Sequence, residues 1–475
     1  MSENKKKVII VGAGLAGFSA AIEAYQNGAS VTLLEKTDKC GGNSFKATSG
    51  INGVGTEAQI LINSQDTPVK FLKDTIKSGG GISKEDLAEK LVNESTEAVS
   101  FLTELGVDLS VLCQCGGHSE KRTHRAKPQE KIRNIGMTIM LTLIEFAKDK
   151  IEIIMKASLK ELLTNEEGEV IGVKYEKDNE MIDLRGDNVV LCTGGWCADK
   201  SSDSLLNKYT PNLMSLPSTN GQFATGEGVK IAHKIGAGLI HMDKIQIHPT
   251  GFVSPKDPKS PTKWLCPEAV RASGGILING KGKRFVNELG RRDHVTEKIF
   301  EQKDRYLVSE EVTDLESYPF VSYILLNEEA RELFSPKFLD FYGRFGFVQK
   351  LENGQVFCKK FGIKNEVLKK TFTDYNKGAE KGQDEFEKTV FPVKNFDFEK
   401  PLWLLTITPS LHYSMGGLKM NKKAQVLNGE DKVIKGLYAA GETTGGVHGQ
   451  NRLAGNSLLE CVVYGRTAGI NSALN

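Results

Sequence analysis

Lys7-Val-Ile-Ile-Val-Gly12-Ala-Gly14-Leu-Ala16-Gly17-Phe18 decides how the rest of the chain is read. Val8 to Val11 is a short β-branched run with no polar residue, which suits a strand covered on both faces of a parallel sheet. Gly12, Gly14 and Gly17 then give G-x-G-x-x-G at the turn into a helix favoured by Ala20, Ala21 and Ala24. The first glycine permits the tight turn, the second lets a pyrophosphate approach the backbone, and the third brings helix against strand. N-H groups at the helix start, around Ala16, meet the phosphate charge. A second strand, Ser30 to Leu34, ends in Glu35, placed to accept hydrogen bonds from an adenosine ribose, with Lys36 beside it. An incidental glycine turn would not require strand, glycines, helix, strand and acid in this order. Dinucleotide binding is therefore expected, and the fingerprint alone does not separate FAD from NAD.

At 475 residues the chain exceeds one compact core, so two or three lobes are expected. The formal net charge of +2 implies neither a nucleic-acid tail nor an acidic partner surface. The basic run Lys5-Lys6-Lys7 precedes a core strand without an apolar signal segment, and no stretch approaches a membrane span. A cytoplasmic location follows as an expectation. The eight cysteines are scattered as in a reduced compartment. Cys113 and Cys115 are separated by one residue and Cys192 and Cys197 by four, spacings that fit no zinc ribbon, C-x-x-C couple or haem attachment. No metal, covalent haem or iron-sulfur cluster is expected, and each cysteine reads as a small buried hydrophobe.

Cys40-Gly-Gly42-Asn43-Ser44-Phe-Lys-Ala-Thr48-Ser49-Gly50 offers many backbone N-H groups to a flat, polar ring system. Ser83 and Asp86 are spaced as a capping box before an amphipathic run, Leu87 to Leu105, that stops at Gly106. Gly116 to Arg125 reads as a dense polar loop near the cofactor; His118, Arg122 and His124 receive no role, and solvation is the simplest account of a loop histidine. Val170 to Tyr175 and Met181 to Leu184 form a hairpin pattern, and Asn188 to Cys192 another buried strand ending in Thr193-Gly194-Gly195. Thr225-Gly-Glu227-Gly228 opens a helix at the same locus. From about 245 to 392 aromatic-rich helical stretches replace the strand-glycine units; small-residue strands and glycine turns resume after Pro401, with no long C-terminal helix expected. The fold class is α/β: a Rossmann-like dinucleotide-binding domain in two parts, 1–244 and 393–475, with an α+β clamp inserted at 245–392.

The G-x-G-x-x-G unit, its acid, and the GGNS run ending in Gly50 resemble the FAD-dependent fumarate reductase and succinate dehydrogenase flavoprotein family, and the order of motifs agrees from Val8 to Gly469. The resemblance implies FAD. In membrane-bound members a histidine of this loop carries FAD covalently; Asn43 stands in its place, so bound FAD is expected to be non-covalent. The implied cofactor contacts are Gly12, Gly14, Ala16, Gly17, Glu35, Lys36, Gly42, Asn43, Ser44, Thr48, Ser49, Gly50, Cys192, Thr193, Gly194, Glu227, Glu442, Ser457 and Leu458. Gly50 is also counted with the substrate.

Three polar clusters carry the implied chemistry. Gln246-Ile-His248-Pro-Thr matches the family's substrate histidine, although a lone histidine is more often structural. Pro267-Glu268-Ala-Val-Arg271 sets acid and base at i and i+3 after a proline at the first helical position. Arg292 follows Arg271 by twenty-one residues, the family spacing of the proton donor; without the resemblance, Arg291 and Arg292 read as a solvated basic turn. Arginine is a poor acid in water, so the role demands cationic neighbours and dryness, with Glu268 returning the lost proton through Arg271. His412 and Arg452, forty residues apart, match the pair that grips one carboxylate, with the histidine protonated, while His248 approaches the other. His248, Glu268 and Arg292 are expected on one side of a closing cleft, His412 and Arg452 on the other.

The implied reaction is fumarate to succinate, by hydride from flavin N5 and a proton from Arg292. Pro267 stands where bacterial relatives carry a hydroxyl residue, and Ala454 replaces the first glycine of the usual L-G-G. Reductases of other enoates, ketosteroid dehydrogenases and L-aspartate oxidase share the architecture, and a flavin-binding redox sensor without turnover is the alternative of a different class. The electron donor is unidentified.

Overall fold

The computed structural model describes residues 5–127, 133–306 and 314–475. Its first layer is a six-stranded sheet in the order Gln425–Leu427, Val433–Ala439, Asn188–Leu191, Lys7–Val11, Ser30–Glu35, Glu152–Met155. Every pairing is parallel except that of Gln425–Leu427. Ile10 lies between Leu33 and Val190, all three buried, which is why the run Val8 to Val11 carries no polar residue. The expected hairpin is present as Val170–Lys177 against Glu180–Arg185, with Ser158–Thr164 as a third strand.

Helix Leu15–Gln26 packs on this sheet and against a nineteen-residue C-terminal helix, Asn456–Leu474. That long helix corrects the sequence expectation. Its glycines read as breakers, yet they are the contact: a Cβ on Gly465 would lie 2.6 Å from the Ala16 carbonyl oxygen, and one on Gly469 2.3 Å from that of Ala20. Small residues here let two backbones approach. The run Leu87 to Leu105 is likewise two helices, Glu85–Asn93 and Ser95–Glu104, meeting at Glu94. Lys84, not Ser83, is the N-cap of the first, and the Ser83 hydroxyl is buried without a partner.

A second core surrounds an antiparallel sheet in the order Ile245–Phe252, Leu402–Ser414, Ser322–Leu326, Ile276–Ile278, with Val348–Leu351 also on the long strand. It runs past residue 392: Val393, Phe396, Phe398 and Leu402 to Leu405 pack into it, and Ile407 closes it. Strands 245–252 and 402–414 pair along both cores, from Gln246 opposite Tyr413 to Phe252 opposite Ile407. They are the double connection between the two halves, and the clamp begins partway along them. No helix among the described residues is long and apolar enough to cross a membrane.

Candidate active site

A cleft runs from the glycine turn to the seam between the two halves, where small-molecule and cofactor sites commonly form. Its walls include every implied cofactor residue except Gly17. Gly17 works from behind, since a Cβ there would lie 1.8 Å from the Gly12 carbonyl oxygen and push helix off strand. Gly12 has φ +105°, and its Cβ would lie 2.3 Å from the Cys192 carbonyl oxygen. The first turn of helix Leu15–Gln26 opens on the cleft and Ser44 Oγ caps the Leu15 N-H at 3.2 Å, leaving donors for phosphate.

The fit to FAD is tested by what these residues leave open. Glu35 accepts from Ala13 N-H at 2.9 Å and from Thr37, which fixes its carboxylate at the cleft with lone pairs remaining for a diol. The Thr48 hydroxyl, in the cleft wall, is buried without a partner. Asn43 is held by Asn220 and by the Gly221 N-H, and carries no nucleophilic nitrogen to attach a flavin. Lys36 and Glu227 form a 2.7 Å ion pair that joins the second strand to helix Glu227–Lys234. Glu442 accepts from Ser414 backbone and hydroxyl; burial pushes its carboxyl up to about 7. The site fits.

At the seam Arg292, His412 and Arg452 line the cleft, with His248, Glu268 and Arg271 directly behind. Arg292 begins helix Arg292–Gln302 and is buried, whereas its neighbour Arg291 is exposed and pairs with Asp293. The solvated-turn reading therefore holds for one arginine and fails for the other. Arg292 donates from Nε (3.0 Å) and Nη2 (2.9 Å) to Glu268 and from Nη1 to Gln246 (2.9 Å).

Glu268 Oε1 accepts from Gly116 N-H at 2.8 Å. Burial opposes its ionisation, but Arg292, Arg271 and the Gly116 amide outweigh this and hold it down at about 2. Arg271 Nη2 stands 4.0 Å from Glu268, its Nη1 donates to the Glu288 carbonyl, and burial lowers its hold on its proton. The order in space is Arg292, Glu268, Arg271. This corrects the expected route, in which Glu268 acted through Arg271: the carboxylate is the middle member. Pro267 is the N-cap, with the helix starting at Glu268.

The two histidines also depart from expectation. His248 and His412 sit on paired strands with ring centroids 5.0 Å apart, so they share one wall and do not face each other across a gap. Burial and the cations Arg292 and Arg452 push both well below the ordinary histidine range, which favours the neutral form of each in this state, whereas His412 was expected to be protonated. His412 Nδ1 shares a 2.7 Å hydrogen bond with Thr219, while His248 Nε2 is buried without a partner. Arg452 stacks 4.5 Å from the Tyr413 ring; among the described residues its guanidinium makes one hydrogen bond, a long one to the Leu453 carbonyl, and its Nε is unpartnered. Burial lowers it to about 10. A buried guanidinium with no carboxylate is costly unless an anion joins it.

His118, Arg122 and His124 are buried, which overturns their reading as a solvated loop. Arg122 pairs with Asp66 and Asp74, His118 meets the Ala454 carbonyl and His124 meets Thr56, all outside the cleft wall. They brace Gly50, whose Cβ would lie 2.5 Å from the His124 carbonyl oxygen. Sequence reasoning missed Gln246, which holds Arg292 through Oε1 while its Nε2 donates to Asn451 and to the Arg452 carbonyl at 2.9 Å each. It also missed Thr219 and Asn220, which steady His412 and Asn43. Only Gln246 carried a signal, two residues before His248.

The FAD binding domain family model matches residues 7–458. The chain is 38% identical to "Fumarate reductase" of Schizosaccharomyces pombe, over 98% of this chain and 89% of that one. It is 39% identical to "Fumarate reductase 1" of Saccharomyces cerevisiae, over 97% of each. Among solved structures, the open conformation of a flavocytochrome c3 fumarate reductase superposes with a TM-score of 0.77 at 32% identity, over 99% of this chain and 78% of that one.

Proposed function

Since the chain belongs to the FAD-binding flavoprotein family of the fumarate reductases and succinate dehydrogenases, we propose that it reduces fumarate to succinate. The observation that supports this reading is the charge at the seam: the buried Arg452, with no carboxylate in ion-pair contact among the described residues, lies beside His412 and close to the ion-paired Arg292 and Glu268. A short dianion supplies the missing charge. Arg452 and His412 hold one carboxylate, and His248 Nε2 is free to meet the other. Binding would raise both histidines toward protonation, since the anion offsets the arginines.

Reduced FAD, when bound, supplies the hydride from N5. Gripping the carboxylates orients the alkene and stabilises the charge that develops on one of them. Arg292 gives the proton to the second alkene carbon. Glu268, in contact with it, takes a proton from Arg271 and returns it to Arg292. Burial and repulsion from Arg292 favour that traffic by lowering the cost of a neutral guanidine at Arg271. The free cysteines favour a reduced, cytoplasmic compartment.

The test is an anaerobic assay with a chemically reduced dye and a panel of fumarate, urocanate, a monocarboxylic enoate and a ketosteroid. The reading predicts turnover with fumarate far above the others. Equal or greater turnover with a monocarboxylate or steroid would assign the cleft to another enoate, and no turnover with any would leave a flavin-binding sensor.

A further inference from the structure

Cys113 and Cys115 take no part in the chemistry above, yet they adjoin it. Cys113 ends strand Val111–Cys113 and is partly exposed; Cys115, two positions on, is buried. The next residue is Gly116, whose N-H is the backbone donor to Glu268. A Cβ on Gly116 would lie 2.9 Å from Glu268 Oε1, so this loop is pressed against the carboxylate. Gln114 Nε2 donates to the His118 carbonyl, and the His118 N-H donates back to the Cys115 carbonyl, which ties the loop together. Glu268 and Arg125 both bear on the two thiols, the carboxylate raising them and the guanidinium lowering them.

We propose that Cys113 and Cys115 are a thiol-disulfide modification site, oxidised by a small soluble disulfide, whose closure withdraws the Gly116 amide from Glu268 and slows proton delivery. Its effect on turnover rests on the proton-relay reading; its chemistry does not. The Cys113 thiolate attacks one sulfur of the small disulfide and expels a thiolate. Cys115 then attacks the Cys113 sulfur and expels the second thiolate, its proton leaving with that group. Two protein thiols lose two electrons and the small disulfide becomes two thiols. The neighbouring Cys115 brings Cys113 down to about 7 despite burial, which favours it as the attacking thiolate at neutral pH.

A fully extended backbone would hold residues two apart at about 6.6 Å between Cα atoms, near the upper limit of ~6.8 Å for a bridged pair, so a disulfide at this spacing draws the loop inward. Gly116 moves with it. Glu268 then loses one of the groups that hold it ionised, and its affinity for a proton rises.

The experiment exposes the FAD-loaded enzyme to graded ratios of glutathione disulfide to glutathione. Residues 91–121 form one tryptic peptide that contains these two cysteines and no other, so closure registers as loss of two hydrogens from that peptide. Turnover should fall about tenfold or more in step with closure, the scale of one lost hydrogen bond to a charged group, and recover with dithiothreitol. FAD content and succinate binding should hold, and the pH profile of the residual activity should shift. Cys113→Ser should keep turnover and lose the response.

Failure to form the disulfide in excess glutathione disulfide would overturn the site. Full closure with unchanged turnover would overturn the switch, provided Glu268→Gln in reduced protein is slow; normal turnover by Glu268→Gln would instead defeat the relay reading. The wild-type correlation between closure and turnover stands without the variant.

Discussion

Replacing Arg292 with Gln removes a charge and the transferable proton from the seam. Arg292 makes three donor contacts, two to Glu268 and one to Gln246, and a glutamine amide can keep at most one or two at its shorter reach. Glu268 would retain Gly116 N-H and a guanidinium 4.0 Å away. Removing one member of a buried pair costs about 3–5 kcal/mol, so the variant should melt several degrees lower yet still fold. Its kinetic loss should be larger in kind: turnover down by on the order of a thousandfold, about 4 kcal/mol of transition-state stabilisation, with substrate binding changed by less than about tenfold. The assay pairs steady-state turnover with a succinate titration of the flavin spectrum and a FAD count. Near-normal fumarate turnover by folded, FAD-loaded Arg292→Gln would refute the reasoning and return Arg292 to an ion-pair role.

Arg452→Gln should behave differently, raising KM by about tenfold to a hundredfold and lowering kcat as well, because the carboxylate it holds is needed in ground and transition states alike. Acid precipitation should leave the flavin in the supernatant, since Asn43 offers no point of attachment; colour in the pellet would contradict this. Stability should fall as pH drops from about 6.5 toward 4. The folded forms of His248, His412, His118 and His124 resist protons that the unfolded chain takes up, whereas Glu442 alone pulls the other way. A melting temperature higher at pH 5 than at pH 7.5 would reverse that sign. Succinate binding should take up protons near neutral pH as the dianion raises His248 and His412, which calorimetry in buffers of different ionisation enthalpy would detect.

What the residues disclosed in one dimension was local geometry. Gly12, Gly17 and Glu35 announce themselves because turn, helix approach and ribose acceptor all lie within one βαβ unit. The seam was legible residue by residue, through motif spacing, but its arrangement was not. Arg292 looks like its neighbour Arg291 in sequence, and only the burial of helix Arg292–Gln302 separates them. Asn43 and Asn220 are 177 positions apart, and Thr219 and His412 193, contacts that no local pattern encodes. Gly465 and Gly469 hid a long helix for the same reason that they stabilise it, since a residue without a side chain signals a breaker until a second backbone is known to lie against it.

The measurement that bears most directly on the central claim is a single turnover. Enzyme whose FAD has been stoichiometrically reduced is mixed without oxygen with excess fumarate, and the return of oxidised-flavin absorbance is followed while succinate is counted. The account predicts full reoxidation with one succinate for each FAD, and a thousandfold slower return in Arg292→Gln at saturating fumarate. Flavin that stays reduced in the presence of fumarate, or reoxidises without forming succinate, would contradict it.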